Sequence, residues 1–119
     1  MYKVFLNEDN IIEIYNEAGP KTPEEQAETI TQVKKLGDQL RGEGKPILIF
    51  DDISKMDLPS EQLRKVGSTV EKLLDLDKFA LFTTDVQMKI IVKFMIEAGE
   101  VLKSKVFNNK EEAIVWLKS

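Results

Sequence analysis

The sequence predicts an α/β domain of order ββαβαβαβα, with a mixed, mostly parallel sheet of about five strands, an N-terminal β-hairpin and four helices. Three observations predict it. The continuous apolar runs Ile47-Leu48-Ile49-Phe50 and Phe79-Ala80-Leu81-Phe82 have the character of strands covered on both faces. Stretches with apolar residues at helical spacing alternate with them, which calls for parallel crossovers. At the start, two apolar, aromatic and β-branched runs are separated only by Asn7-Glu8-Asp9-Asn10, a hairpin connection and therefore antiparallel.

Taken in order, Tyr2 to Leu6 and Ile11 to Tyr15 are the hairpin strands, and the Asn and Asp between them tolerate the left-handed backbone of a tight turn. Ala18-Gly19-Pro20 breaks the pattern. Thr22-Pro23-Glu24-Glu25 then supplies a helix start, with Thr as N-cap, Pro at the first helical position and Glu at capping-box spacing. Ala27, Ile30, Val33, Leu36 and Leu40 form its apolar stripe, and Gly42 and Gly44 its stop. After the strand at Ile47 to Phe50, Asp57 caps a second helix whose buried stripe is Leu63, Val66, Val70, Leu73 and Leu74. Gly67 within it costs roughly 1 kcal/mol relative to Ala, which close packing would offset. Following Phe79 to Phe82, Thr84 and Gln87 stand at capping-box spacing before a third helix, Val86 to about Ala98. Its apolar side chains spread over more than half the circumference, more than one sheet face can cover. Gly99 ends it, Lys105-Val106-Phe107 is the last strand, and Asn109-Lys110-Glu111-Glu112 caps a final helix carrying Ala113, Ile114, Trp116 and Leu117.

Composition narrows the function. The 119 residues make one domain, 1–119, and 42% hydrophobic with 32% charged residues is a globular balance. Seventeen basic against twenty-one acidic residues give a net charge of −4 without a basic block, a poor basis for binding nucleic acid. No apolar run reaches the ~20 residues that span a bilayer, and the N-terminus lacks signal-peptide design, so a cytoplasmic location is expected. Cysteine and histidine are both absent. That removes thiolate metal sites, Cys nucleophiles, His-based triads and the commonest general base, so no catalytic residue, metal or cofactor is assigned.

Three places invite a functional reading. Asp51 and Asp52 follow a strand that should end at a ligand-binding edge, and with Thr83-Thr84 and Lys105 they would suit a Mg²⁺-dependent, phosphate-handling site. The competing reading, favoured here, has Asp51 and Asp52 cap the following turn and Thr84 its helix, with Lys105 an edge charge. Asp57 and Ser60, at a helix start, would accept a phosphate or dock a partner, against a plain capping role. The broad face of the third helix, with Met88, Ile91, Phe94 and Met95, has three readings in descending order: core packing, a homodimer interface, and a pocket for an apolar ligand.

The strand ending in Asp, the following loop and helix, the Phe-Ala-Leu-Phe strand, and the ending Val106-Phe107-Asn108-Asn109-Lys110-Glu111-Glu112-Ala113-Ile114-Val115-Trp116-Leu117 resemble the SpoIIAA-like proteins. These belong to the wider STAS (anti-sigma-factor antagonist) fold group, which is also compared with Sec14-type lipid carriers. The element order extends the resemblance over nearly the whole chain. It implies a non-enzymatic regulatory domain that works by contact with a protein partner; the alternative it implies is a carrier of a lipid or other apolar ligand. In phosphorylated members the loop before the second helix resembles Asp-Ser-Ser-Gly, with one Ser accepting phosphate. Here that loop is Met56-Asp57-Leu58-Pro59-Ser60: Asp57 matches, but Leu58 and Pro59 take the Ser positions.

Overall fold

The N-terminal hairpin forms where the sequence requires it. The Asn7 side-chain oxygen accepts from the backbone N–H groups of Asp9 (2.8 Å) and Ile11 (3.0 Å), and Asn10 takes the left-handed conformation at φ 62°. In the computed structural model, which describes residues 2–16, 22–55, 75–97 and 103–119, the hairpin strands are β1 (Tyr2–Leu6) and β2 (Ile11–Asn16). Three more strands follow: β3 (Leu48–Asp52), β4 (Lys78–Phe82) and β5 (Ser104–Phe107). The described helices are α1 (Pro23–Gly42), α2 (Val86–Glu97) and α3 (Lys110–Lys118). The helix expected from Asp57 onward lies outside the described residues, and Asp57 and Ser60 with it.

Spatial order equals sequence order, β1-β2-β3-β4-β5, with β1–β2 antiparallel and the remaining pairs parallel. The sheet is therefore mixed and mostly parallel, as predicted. Each parallel crossover steps one strand in the same direction, so crossovers of one hand bring their helices to one face. α1 and α2 indeed share a single core: Val33 and Leu40 from α1, and Met88 and Val92 from α2, pack with Ile12, Ile14, Ile49, Phe79 and Leu81. The opposite face holds Ile11, Leu48, Phe50, Ala80 and Phe107, covered by Ala113 and Leu117 of α3. Strand alternation sorts the residues between the two cores.

Capping chemistry sets the helix starts. Thr22 accepts from Glu25 N–H (3.1 Å) with Pro23 in the first turn, and Asn109 accepts from Glu112 N–H (3.1 Å). At α2 the structure corrects the expected cap: Asp85, not Thr84, accepts from the N–H groups of Gln87 (2.8 Å) and Met88 (3.2 Å). The carboxylate one residue later reaches two orphan amides and answers the positive end of the helix dipole. α1 ends as expected, with Gly44 left-handed at φ 72°. At the far end of α3, Lys78 donates to the carbonyl oxygens of Trp116 (3.0 Å) and Ser119 (2.7 Å), a cation at the negative end of a helix.

Candidate functional site

The acidic strand end belongs to the sheet. β3 continues through Asp51 and Asp52, which pair with Ile14 and Tyr15 on one side and Leu81 and Phe82 on the other. Consecutive residues of a strand point to opposite faces, so the two carboxylates do not converge on one ion. Asp51 is buried and accepts from the Asn16 amide at 2.7 Å, while that amide also reaches the Asp52 carbonyl at 3.0 Å. Asp52 turns its carboxylate back onto Ser54, accepting from its N–H (2.9 Å) and its hydroxyl. Thr83, also buried, accepts from Asp85 N–H at 3.1 Å. Lys105 extends over the Phe107 ring, 5.5 Å from its centroid, on the α3 face of the outermost strand. The grouping that would have made a Mg²⁺ or phosphate site is thus divided between two faces and spent on turns.

The broad apolar helix divides differently from the expected surface. Met88 is only 8% exposed and belongs to the core with Val92, so its assignment to a partner or ligand surface is corrected. Ile91 is half-buried against the same core, and the Met95 side chain lies outside the described residues. Phe94 is 68% exposed, and with it Ile90 (63%) and Val86 (70%) complete a stripe at i, i+4 and i+8. Sequence reasoning named Phe94 and missed the other two. The signal was available: once Met88 and Val92 face the sheet, residues half a turn away must face outward. Beside this stripe runs an open groove of about 340 Å³ between α2 and β5, lined by Lys89, Lys93, Ile96, Glu97, Lys105 and Val106.

A second cluster was not anticipated. Glu13 lies mid-strand on the α3 face and is 6% exposed. Its carboxylate accepts from the Tyr15 hydroxyl, from the Asn7 amide at 2.8 Å, and pairs with the Lys110 ammonium at 3.1 Å. Lys110 also donates to the Tyr15 oxygen at 2.7 Å and lies 5.4 Å from the centroids of Tyr15 and Phe50. Burial pushes the Glu13 carboxyl upward, but donation from Tyr15, Asn7 and Lys110 outweighs it and holds the group below its ordinary value. Burial and the neighbouring carboxylate raise the Tyr15 phenol. The hydrogen bond to Tyr15 and the pairing with Glu13 raise Lys110 despite its partial burial. All three groups are thereby held in their ordinary charge states at neutral pH, which suits a structural clamp. A phenol with a raised pKa is scarcely ionised at neutral pH, so little phenolate is present to serve as base or nucleophile. The signal in the sequence was Glu13 itself, a lone charge inside Ile-Ile-Glu-Ile-Tyr.

The backbone path can be set beside known proteins. No protein-family model and no curated protein matches the chain. Among solved structures it is similar to an uncharacterized protein of the DUF3478 family from Shewanella loihica PV-4, described as having a SpoIIAA-like fold. The two are 18% identical, with a TM-score of 0.66 over 98% of this chain and 92% of the other. The chain has a SpoIIAA-like fold. The resemblance drawn from the Val106–Leu117 ending and the element order therefore holds for architecture. Among the described residues, no helix is long and apolar enough to cross a membrane.

Proposed function

We propose that the domain is a non-enzymatic, cytoplasmic regulatory module that works by binding a protein through the outer face of α2. The observation that carries this reading is the exposed stripe Val86, Ile90 and Phe94. Single exposed apolar residues are ordinary on a protein surface; three aligned on one helix face form a contiguous patch of the kind that marks interaction sites. Covering the stripe would yield roughly 5–8 kcal/mol of apolar burial before the entropic cost of association. The engagement of Asp51 by the Asn16 amide and of Asp52, Thr83 and Asp85 in turns and caps, together with the absence of His and Cys from the chain, also favours binding over catalysis.

A photo-crosslinking residue placed at position 94 tests the reading in the native cell. The expected result is one dominant adduct, identified by mass spectrometry, whose purified protein forms a stoichiometric complex with the wild-type chain. The Ile90→Ser/Phe94→Ser variant, folded by circular dichroism, should not form it. A purified partner that binds the double variant as well as the wild type would end the proposal. Adducts only between copies would point to a homodimer instead, and lipid retained in native mass spectrometry would favour the apolar-ligand carrier.

A further inference from the structure

We infer that the partner of α2 is an acidic amphipathic helix, carrying carboxylates along the border of its apolar face that lies toward β5. This rests on the reading of α2 as a docking face and specifies what occupies it. Around the helix, Lys89 and Lys93 stand between the exposed stripe and the groove that separates α2 from β5. The edge of β5 at Lys105 forms the far wall of that groove, its ammonium turned to the α3 face over Phe107, and the apolar floor is Ile96 and Val106. Among the described residues, two ammonium groups, Lys89 and Lys93, thus border the stripe on one side, against one carboxylate, Glu97. The border opposite carries Gln87 and the half-buried Ile91. The surface is therefore apolar in the middle and cationic on one flank, although the whole chain is acidic at −4.

Size and symmetry select the occupant. Three exposed side chains offer far less than the ~800 Å² per partner of a standard protein interface, but they match the narrow seam that one helix lays into a neighbour. A second copy of the chain fits poorly. Paired antiparallel about a two-fold axis, Lys89 and Lys93 of one protomer would run beside the same residues of the other. Paired parallel, they would meet the Gln87 border. Neither arrangement offers the lysines more than Glu97, and like charges brought together oppose association. A partner helix with Glu or Asp on the β5 side answers them directly, its apolar residues at i, i+3, i+4 and i+7 covering Val86, Ile90 and Phe94.

Two synthetic helical peptides of about five turns test this with the full chain. They share one apolar face; one carries Glu along a single border, the other Lys at the same positions. Fluorescence anisotropy should show the Glu peptide binding at least about tenfold more tightly, with an affinity that falls as salt rises. Lys89→Glu/Lys93→Glu should reverse the order of the two peptides, and Lys89→Gln/Lys93→Gln should abolish the difference. Equal binding of both peptides, or an order that survives charge reversal, would overturn the inference. If equal binding is also lost in Phe94→Ser, the docking face stands and only the acidic partner fails; if the Glu peptide binds Phe94→Ser undiminished, the docking face itself fails. Binding to phosphatidylglycerol-containing vesicles with no binding of either peptide would assign the patch to a membrane surface and overturn the inference.

Discussion

Beneath α1 and α2 the sheet presents Ile12, Ile14, Ile49, Phe79 and Leu81, and the helices answer with Val33, Leu40, Met88 and Val92. Beneath α3 it presents Tyr15, Phe50 and Phe82 in a row of rings about 6 Å apart, with Glu13 among them and Lys78, Lys105 and Lys110 reaching over the aromatic surface. The difference follows from the cover available. Two described helices, one of 20 and one of 12 residues, seal the first face with aliphatic packing. Among the described residues, a nine-residue helix holds the second. Too short to cover a whole sheet face, it is fastened at both ends: Lys110 reaches Glu13 and Tyr15, and Lys78 reaches the last carbonyls. Aromatic rings extend the buried area, and the lysine stems shield what the helix leaves open.

The comparison can be broken most directly at Phe50, which is fully buried under α3. Phe50→Ala should cost about 3–5 kcal/mol, and Ile49→Val on the other face about 0.5–1.5 kcal/mol, both read from urea midpoints. A Phe50→Ala cost below about 1 kcal/mol would mean that the α3 face is not a true core. The clamp comes next. Lys110→Met should cost about 1–2 kcal/mol, because Glu13 is left buried without its cation; the half-exposed lysine keeps the figure below that of a fully buried pair. Glu13→Leu/Lys110→Met should recover most of that loss, and additive losses in the double-mutant cycle would contradict the coupling.

Acid should distinguish the two faces as well. The folded Glu13 carboxyl titrates below its ordinary value of 4.5, so its ionised form contributes stability that is present above that value and lost as pH falls through the folded value. Below about pH 4.5 the wild type should therefore lose stability faster than Glu13→Gln, and parallel denaturation curves would refute the assignment. The smallest effect is expected outside both cores. Phe94→Ser should change stability by no more than about 0.5 kcal/mol, whereas Met88→Ala, earlier on the same helix and facing inward, should cost about 2–4 kcal/mol. Equal effects would mean that α2 is rotated from the orientation described.

Much of the fold was legible in the residues. Thr22-Pro23, Asn109, the Asn7–Asn10 turn and the apolar strand runs act through neighbours within a few positions, so their effects can be read locally. The candidate sites were less legible, each for a definable reason. Asp51 and Asp52 look like a paired acidic centre in sequence, yet β3 runs through both and turns them to opposite faces. Met88 and Phe94 are equivalent on an apolar helix until the sheet chooses its side. Glu13 and Lys110 are nearly a chain length apart, and nothing in either neighbourhood announces the other.

The sequence by itself determined the element order, the hairpin, most of the helix starts and the lack of the usual catalytic groups, because strand alternation, capping and composition depend on short-range chemistry. Only the tertiary structure decided which face each helix covers, which apolar residues of α2 remain outside, and which buried carboxylate meets which lysine. Those outcomes depend on how strand order and helix length divide a limited cover between two sheet faces, a constraint that belongs to the assembled chain.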